Sequence, residues 1–285
     1  RDNFGLLHLY LNICSKESIM SQTKFDQDTA ISQVSELVWQ AELDAGWCIG
    51  PVPNGGYVLA IGAKALSAAL PHKDPLTTSA YYFAPTHAGP IECRVEVIKQ
   101  SGSTCFGMVR MYQDNELKVQ ITAALTTLTQ MKGESLQLDP APPVAKLEDC
   151  IRVPSPDFVQ IARHTIQMVE PGMEQAFLGN PTGEGEFAGW VSLPDTDQAD
   201  LFALLMFSDA MPPPVFNIFG ALSWVPTIEL NVQIRAVPAP GPIQFKFSSR
   251  NLTNGLTEES GCLWDSTGKL VAMSRQTAKF RVATR

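Results

Sequence analysis

One order of patterns occurs twice in this chain, and it limits the fold more than any other feature. An apolar helix is followed by stretches in which apolar and polar residues alternate. In the first half, Gly50-Pro51-Val52-Pro53-Asn54-Gly55-Gly56-Tyr57 is a turn-rich loop that opens a helix. Leu59, Ala63, Leu66 and Leu70 give that helix an apolar stripe, and Pro71 stops it. Gly62, Ala60, Ala65, Ala68 and Ala69 keep it thin, so a sheet can wrap closely around it. The period then changes to two. Ile91, Cys93, Val95 and Val97 form one strand, Phe106, Met108 and Arg110 lie on a second, and Leu117 to Leu128 form a third after a turn at Asp114-Asn115. A strand over Glu36 to Leu43 precedes the helix.

The second half repeats the order. Phe187 to Leu193 reads as a strand. Asp195 or Thr196 is placed to cap the next helix, with Asp197 and Asp200 in its first turn. Leu201, Leu204 and Leu205 form one apolar stripe there. Alternation resumes at Ile228 to Ile234 and at Ile243 to Phe247. Strands over Leu256 to Leu263 and Leu270 to Phe280 flank a turn at Asp265-Ser266-Thr267-Gly268. Ala88-Gly89-Pro90-Ile91 in one half parallels Pro240-Gly241-Pro242-Ile243 in the other, which points to an internal duplication. The fold class is therefore α+β, with a first repeat over 31–130 and a second over 161–285. Residues 131–160 are a proline-rich linker expected to run extended over the surface, and 1–30 are an amino-terminal extension.

Composition excludes several functions. The net charge of -8 leaves no basic stripe for nucleic acid. No apolar run reaches the length of a membrane span. Cys14, Cys48, Cys93, Cys105, Cys150 and Cys262 form no C-x-x-C pair and the histidines are dispersed, so neither a metal nor another cofactor is expected. The start lacks a small-residue cleavage site, and Met20-Ser21-Gln22 reads as a natural first residue, with the nineteen before it open to question as native chain. Ala283-Thr284-Arg285 is not a peroxisomal address, so a cytoplasmic protein is expected.

Asp209 sits one turn beyond Leu205 on the apolar stripe. It reads in two ways. It either ends the helix ahead of Met211-Pro212-Pro213-Pro214, or it is a buried carboxylate whose raised pKa suits a general base. Thr227 and Gln276 are each open to a plain strand reading as well.

A helix wrapped by an antiparallel meander, present twice, resembles the double hotdog of the TesB-like acyl-CoA thioesterases. The motifs that carry the likeness are Pro53-Asn54-Gly55-Gly56-Tyr57, Leu205-Met206-Phe207-Ser208-Asp209, Pro226-Thr227-Ile228-Glu229 and Ala272-Met273-Ser274-Arg275-Gln276. The resemblance implies two helix-wrapped sheets joined into one continuous sheet. It also implies hydrolysis of an acyl thioester, on CoA or on a carrier, by a water held by Asp209, Thr227 and Gln276. Asn54, Gly55, Gly56 and Tyr57 would then bind substrate, with the Gly55 and Gly56 N–H groups polarising the carbonyl at a helix start. The first repeat offers no glutamine near Thr122-Ala123, although Gln120 is close, so one working site per chain is expected. Trp47 and Tyr57 could line an acyl pocket or pack the core. His87 raises the alternative of a hotdog hydratase or dehydratase, and an acyl-binding protein without catalysis is another. Homo-oligomers are common among such sheets and leave no sequence mark.

Overall fold

The computed structural model describes residues 22–221 and 224–280. The readings at residues 1–19, at Met20 and at Ala283-Thr284-Arg285 lie outside the described residues. A short helix, α1 (Lys24–Asp28), is capped by Thr23, whose side chain accepts the Asp26 N–H. The edge strands β1 (Ile31–Ser35) and β2 (Val38–Leu43) follow. A small hairpin of β3 (Cys48–Ile49) and β4 (Val52–Pro53) leads to Asn54, which caps α2 (Gly55–Ala69). The strands β5 (Asp74–Tyr82), β6 (Gly89–Gln100), β7 (Cys105–Gln113) and β8 (Glu116–Thr126) complete the first unit. Asp114 and Asn115, with φ of 52° and 62°, make the tight β7–β8 turn that their dipeptide predicts.

After the linker come β9 (Ile151–Arg152), β10 (Ile166–Val169) and β11 (Glu186–Ser192), then the helices α3 (Leu201–Ala210) and α4 (Phe216–Phe219). The strands β12 (Thr227–Ile234), β13 (Ile243–Ser248), β14 (Leu252–Thr253), β15 (Leu256–Trp264) and β16 (Leu270–Lys279) close the second unit.

All strands but β3 and β4 belong to one antiparallel sheet in the order β1-β2-β6-β7-β8-β5-β12-β16-β15-β13-β11-β10-β9, with β14 beside β15. Each unit runs strand, helix, strand and then a three-stranded meander, and the two orders mirror each other about the β5–β12 pair. The fold is thus the double hotdog, one continuous sheet with a central helix in each half. The duplicated Gly-Pro-Ile is conformational as well as sequential: Gly89 and Gly241 both have positive φ, 126° and 117°.

Three local readings need correction. The sequence shows no strand between Pro71 and Ile91, yet β5 lies there and forms the junction of the two halves. Its Thr77-Thr78-Ser79 run breaks the apolar alternation that marks a strand, and Pro75 falls where the register against β8 shifts. The cap of α3 is Asp200, whose Oδ1 accepts the Ala203 N–H at 2.6 Å; Asp195 instead accepts the Lys24 N–H, also at 2.6 Å. Finally, α3 does not carry a single stripe. Leu201 and every residue from Ala203 to Ser208 are buried, because α2, β5, β12, β15 and β16 surround it.

The helices α2 and α3 pack against each other inside the curved sheet. A Cβ on Gly62 would come within 2.3 Å of Ile121 Cδ1, so the thin α2 does allow the sheet its close approach. The linker is tied to the second half. Pro142 O accepts from Gln244 at 2.7 Å, and Ala145 O accepts the Trp190 indole N–H at 2.8 Å.

Candidate active site

The last turn of α3 brings Asp209 to the first turn of α2, and the sequence there explains the approach. A Cβ on Gly56 would lie 2.6 Å from the Met206 carbonyl oxygen and 2.9 Å from Asp209 Cβ. A Cβ on Gly55 would lie 2.9 Å from Asp209 Oδ2. Two glycines are needed for the helices to meet this closely.

Asp209 is encircled by donors. Its Oδ2 accepts the Gly56 N–H at 2.9 Å and the Asn54 side-chain amide at 3.1 Å. The same Asn54 Nδ2 donates to the Asp209 backbone oxygen at 2.8 Å, while Asn54 Oδ1 accepts the Tyr57 N–H as the helix cap. Asp209 Oδ1 accepts from Gln276 Nε2 at 2.9 Å, and Gln276 Nε2 also donates to the Thr227 hydroxyl oxygen. The three side chains proposed from sequence therefore converge, from α3, from the start of β12 and from β16. Burial pushes the Asp209 carboxyl up to about 6, against the downward pull of the Gly56 N–H, Gln276, the Gly55 N–H and Asn54. The carboxylate thus stands at the positive end of α2 in an enclosed setting.

These groups open on a cavity of about 800 Å³, a size typical of ligand sites. Asn54, Gly55, Asp209, Thr227 and Gln276 line it, and its remaining walls include Val153–Pro156, Phe158 and Val159 of the linker, Phe177 and the Met211–Pro213 turn. A separate hollow between Val191, Phe207 and Ile243 holds only about 10 Å³, room for a water at most.

Gly56 and Tyr57 are placed differently from the sequence reading. Gly56 does not line the cavity and its N–H is engaged by Asp209. The Tyr57 ring lies in the core, stacked on Trp47 with centroids 5.4 Å apart, and its hydroxyl donates to Asp28 O at 2.6 Å. Trp47 is likewise core. The cavity tyrosine is Tyr82, whose hydroxyl donates to Gly55 O at 2.8 Å. Burial, with the charges of Asp209 and Glu229, pushes its phenol well above the ordinary tyrosine range, so it acts as a neutral donor. It escaped the sequence reading along with β5, its strand. Glu259, a further cavity residue, carried no motif at all. His87 pairs with Asp114 at 2.9 Å on an exposed loop and is not a cavity residue. Gln120 is occupied by Arg110 Nε at 3.2 Å. No cluster of His, Cys, Asp and Glu suited to a metal occurs among the described residues.

A double hotdog with a cavity at the meeting of its two central helices is a fold that thioesterases and dehydratases share, so the architecture defines a hotdog protein and not yet an activity. Comparison with known proteins gives the family. The model of the acyl-CoA thioesterase N-terminal domain matches residues 43–129, and that of the C-terminal domain matches residues 137–280. The chain belongs to the acyl-CoA thioesterase family. A Thermobifida fusca YX protein assigned as a thioesterase II is 31% identical in sequence, with a TM-score of 0.84 over 91% of this chain and 98% of that one. Acyl-CoA thioesterase II TesB2 from Mycobacterium marinum shares the fold at a TM-score of 0.72 and 15% identity, over 91% of this chain and 99% of that one. The thioesterase-like protein TwmA of Talaromyces wortmannii is 22% identical over 89% of this chain and 91% of its own length.

Proposed function

We propose that this thioesterase hydrolyses acyl-CoA by a water that Asp209, Thr227 and Gln276 hold and activate. The convergence of those three side chains on one wall of the cavity is the observation that carries the reading. Asp209 Oδ1 takes a proton from the water as its oxygen attacks the thioester carbonyl carbon. The tetrahedral intermediate then expels the thiolate, which recovers that proton, leaving a free acid and a free thiol. No covalent acyl-enzyme is needed, because a thioester is already a reactive acyl donor. Gln276 fixes the geometry by donating to both Asp209 and Thr227 from one nitrogen. The Thr227 oxygen accepts from Gln276, which leaves its own O–H to orient the water.

The carbonyl oxygen faces the start of α2, where Gly55 borders the cavity. The Gly55 and Gly56 N–H groups are both turned toward the Asp209 carboxylate. One helix start thus serves both charges, holding Asp209 and favouring the developing oxyanion through its dipole.

Thiol release from a panel of acyl-CoA thioesters tests the reading. The wild-type protein is expected to turn over at least one chain length, and Asp209→Asn to lose about 10²- to 10⁴-fold in kcat. Binding of acyl-CoA without any turnover would overturn hydrolysis in favour of a passive acyl-binding role.

A further inference from the structure

We propose that Glu259 is a specificity-determining residue, and that the acyl group hydrolysed here carries a hydroxyl close to its thioester carbonyl. This rests on the cavity being the acyl site. Glu259 stands on β15 directly opposite Gln276 of β16 in the ladder, so the two side chains share the inner face of the sheet. The next inward residues of the same strands are Thr257 with Ala278 and Gly261 with Ser274, all uncharged. Strand spacing places its Cα roughly 5 Å from that of Gln276. Thr227 is on the far side of β16, on β12, so Glu259 extends the polar row beyond the reacting centre.

Its environment is unlike that of the other buried carboxyls. Glu259 is only 9% exposed and lines the cavity. Glu174 accepts the Gly172 N–H and Asp265 accepts the Ala239, Thr267 and Lys269 N–H groups, but Glu259 has no hydrogen bond or ion pair with any described residue. A buried carboxyl without a partner costs free energy, and a ligand that supplies the partner recovers it. Burial, and then the nearby Asp209 and Glu258 charges, raise its pKa well above the usual carboxylate range, which favours the neutral form. A neutral carboxylic acid offers one O–H donor and one carbonyl acceptor. An alcohol offers the same pair in reverse. A ketone would leave the acceptor idle, and a plain hydrocarbon would leave both idle.

The test compares kcat/KM for hydroxyacyl-CoA and unsubstituted acyl-CoA thioesters of equal length, with ketoacyl and aminoacyl analogues beside them. Wild type is expected to favour a hydroxyacyl thioester by roughly ten- to a hundredfold, the range set by an unmet buried hydrogen bond. Glu259→Leu should erase that ratio by losing the hydroxyacyl substrate and gaining the unsubstituted one. Glu259→Gln, which still donates and accepts, should keep most of it. Equal rates on hydroxyacyl and unsubstituted substrates in wild type would overturn the proposal. So would preference for the aminoacyl analogue, which would make Glu259 an ionised partner. If Glu259→Leu does not fold, as judged by circular dichroism, the Glu259→Gln ratio and the wild-type ranking still decide. Absence of turnover on every substrate would count against hydrolysis itself. Calorimetric binding of a non-hydrolysable hydroxyacyl-CoA analogue, set against its unsubstituted counterpart, would then judge Glu259 separately.

Discussion

A carboxylate accepts and an amide both accepts and donates, and that difference dominates the chemistry at Asp209. Both its oxygens face donors: Gly56 N–H and Asn54 on one side, Gln276 on the other. Asp209→Asn would turn its own NH₂ against one of them, so the near-isosteric change should disrupt the network as well as remove the base. The pH dependence follows from the same environment. Burial pushes the carboxyl up to about 6, and as the proposed base it acts only when ionised, so activity should rise with pH through about 6 and level off above it. A pH profile of kcat/KM checks this; a flat profile between pH 5 and 7 would remove Asp209 from the role. Gln276→Ala and Thr227→Ala each break the same bridge. Their combined effect on kcat should fall well short of the product of the single effects, as a double-mutant cycle would measure.

Helix against helix is the next level of constraint. The α2 start meets the α3 end at a distance that only glycine permits, since a methyl on Gly56 would press on the Met206 backbone oxygen at 2.6 Å. Backbone cannot rotate aside as a long side chain can. Gly56→Ala should therefore cost about 1–3 kcal/mol in thermal or denaturant unfolding and displace Asp209 as well. Gly55→Ala, whose Cβ meets the Asp209 carboxylate at 2.9 Å and the Tyr82 ring at 3.2 Å, should spare more stability and harm kcat more. A Gly56→Ala protein as stable and active as wild type would show that the helices do not sit this close. Tyr82 contributes to the same junction through its bond to the Gly55 carbonyl.

For the molecule as a whole, the decisive contact is the β5–β12 ladder, which runs from Glu229 opposite Tyr81 to Gln233 opposite Thr77. Asn231 reinforces it by donating to Thr78 O at 3.1 Å and to Ser79 Oγ at 2.8 Å. The proposed site draws on Asn54 and Gly55 from one half and on Asp209, Thr227 and Gln276 from the other, so neither hotdog makes it alone. Limited proteolysis within the exposed linker, around Glu134 to Asp139, should leave the two fragments in one particle on size exclusion, because this ladder and the α2–α3 contact survive the cut. Separation of the fragments without denaturant would refute that.

The duplication and the helix and meander order could be read from the chain, because periodicity is a property of neighbouring residues; Asp209, Thr227 and Gln276 are marked only by the motifs of a family resemblance, and packing is what brings them within hydrogen-bonding distance. Tyr82 and β5 could not, since a Thr- and Ser-rich run becomes a central strand only when flanking strands satisfy its backbone on both sides. Nor could the fact that Gly55 borders the cavity while Gly56 does not, or the solitude of Glu259. Which amide faces a carboxylate, and which buried carboxyl lacks a partner, depend on groups distant in sequence that only packing brings within a hydrogen bond's length.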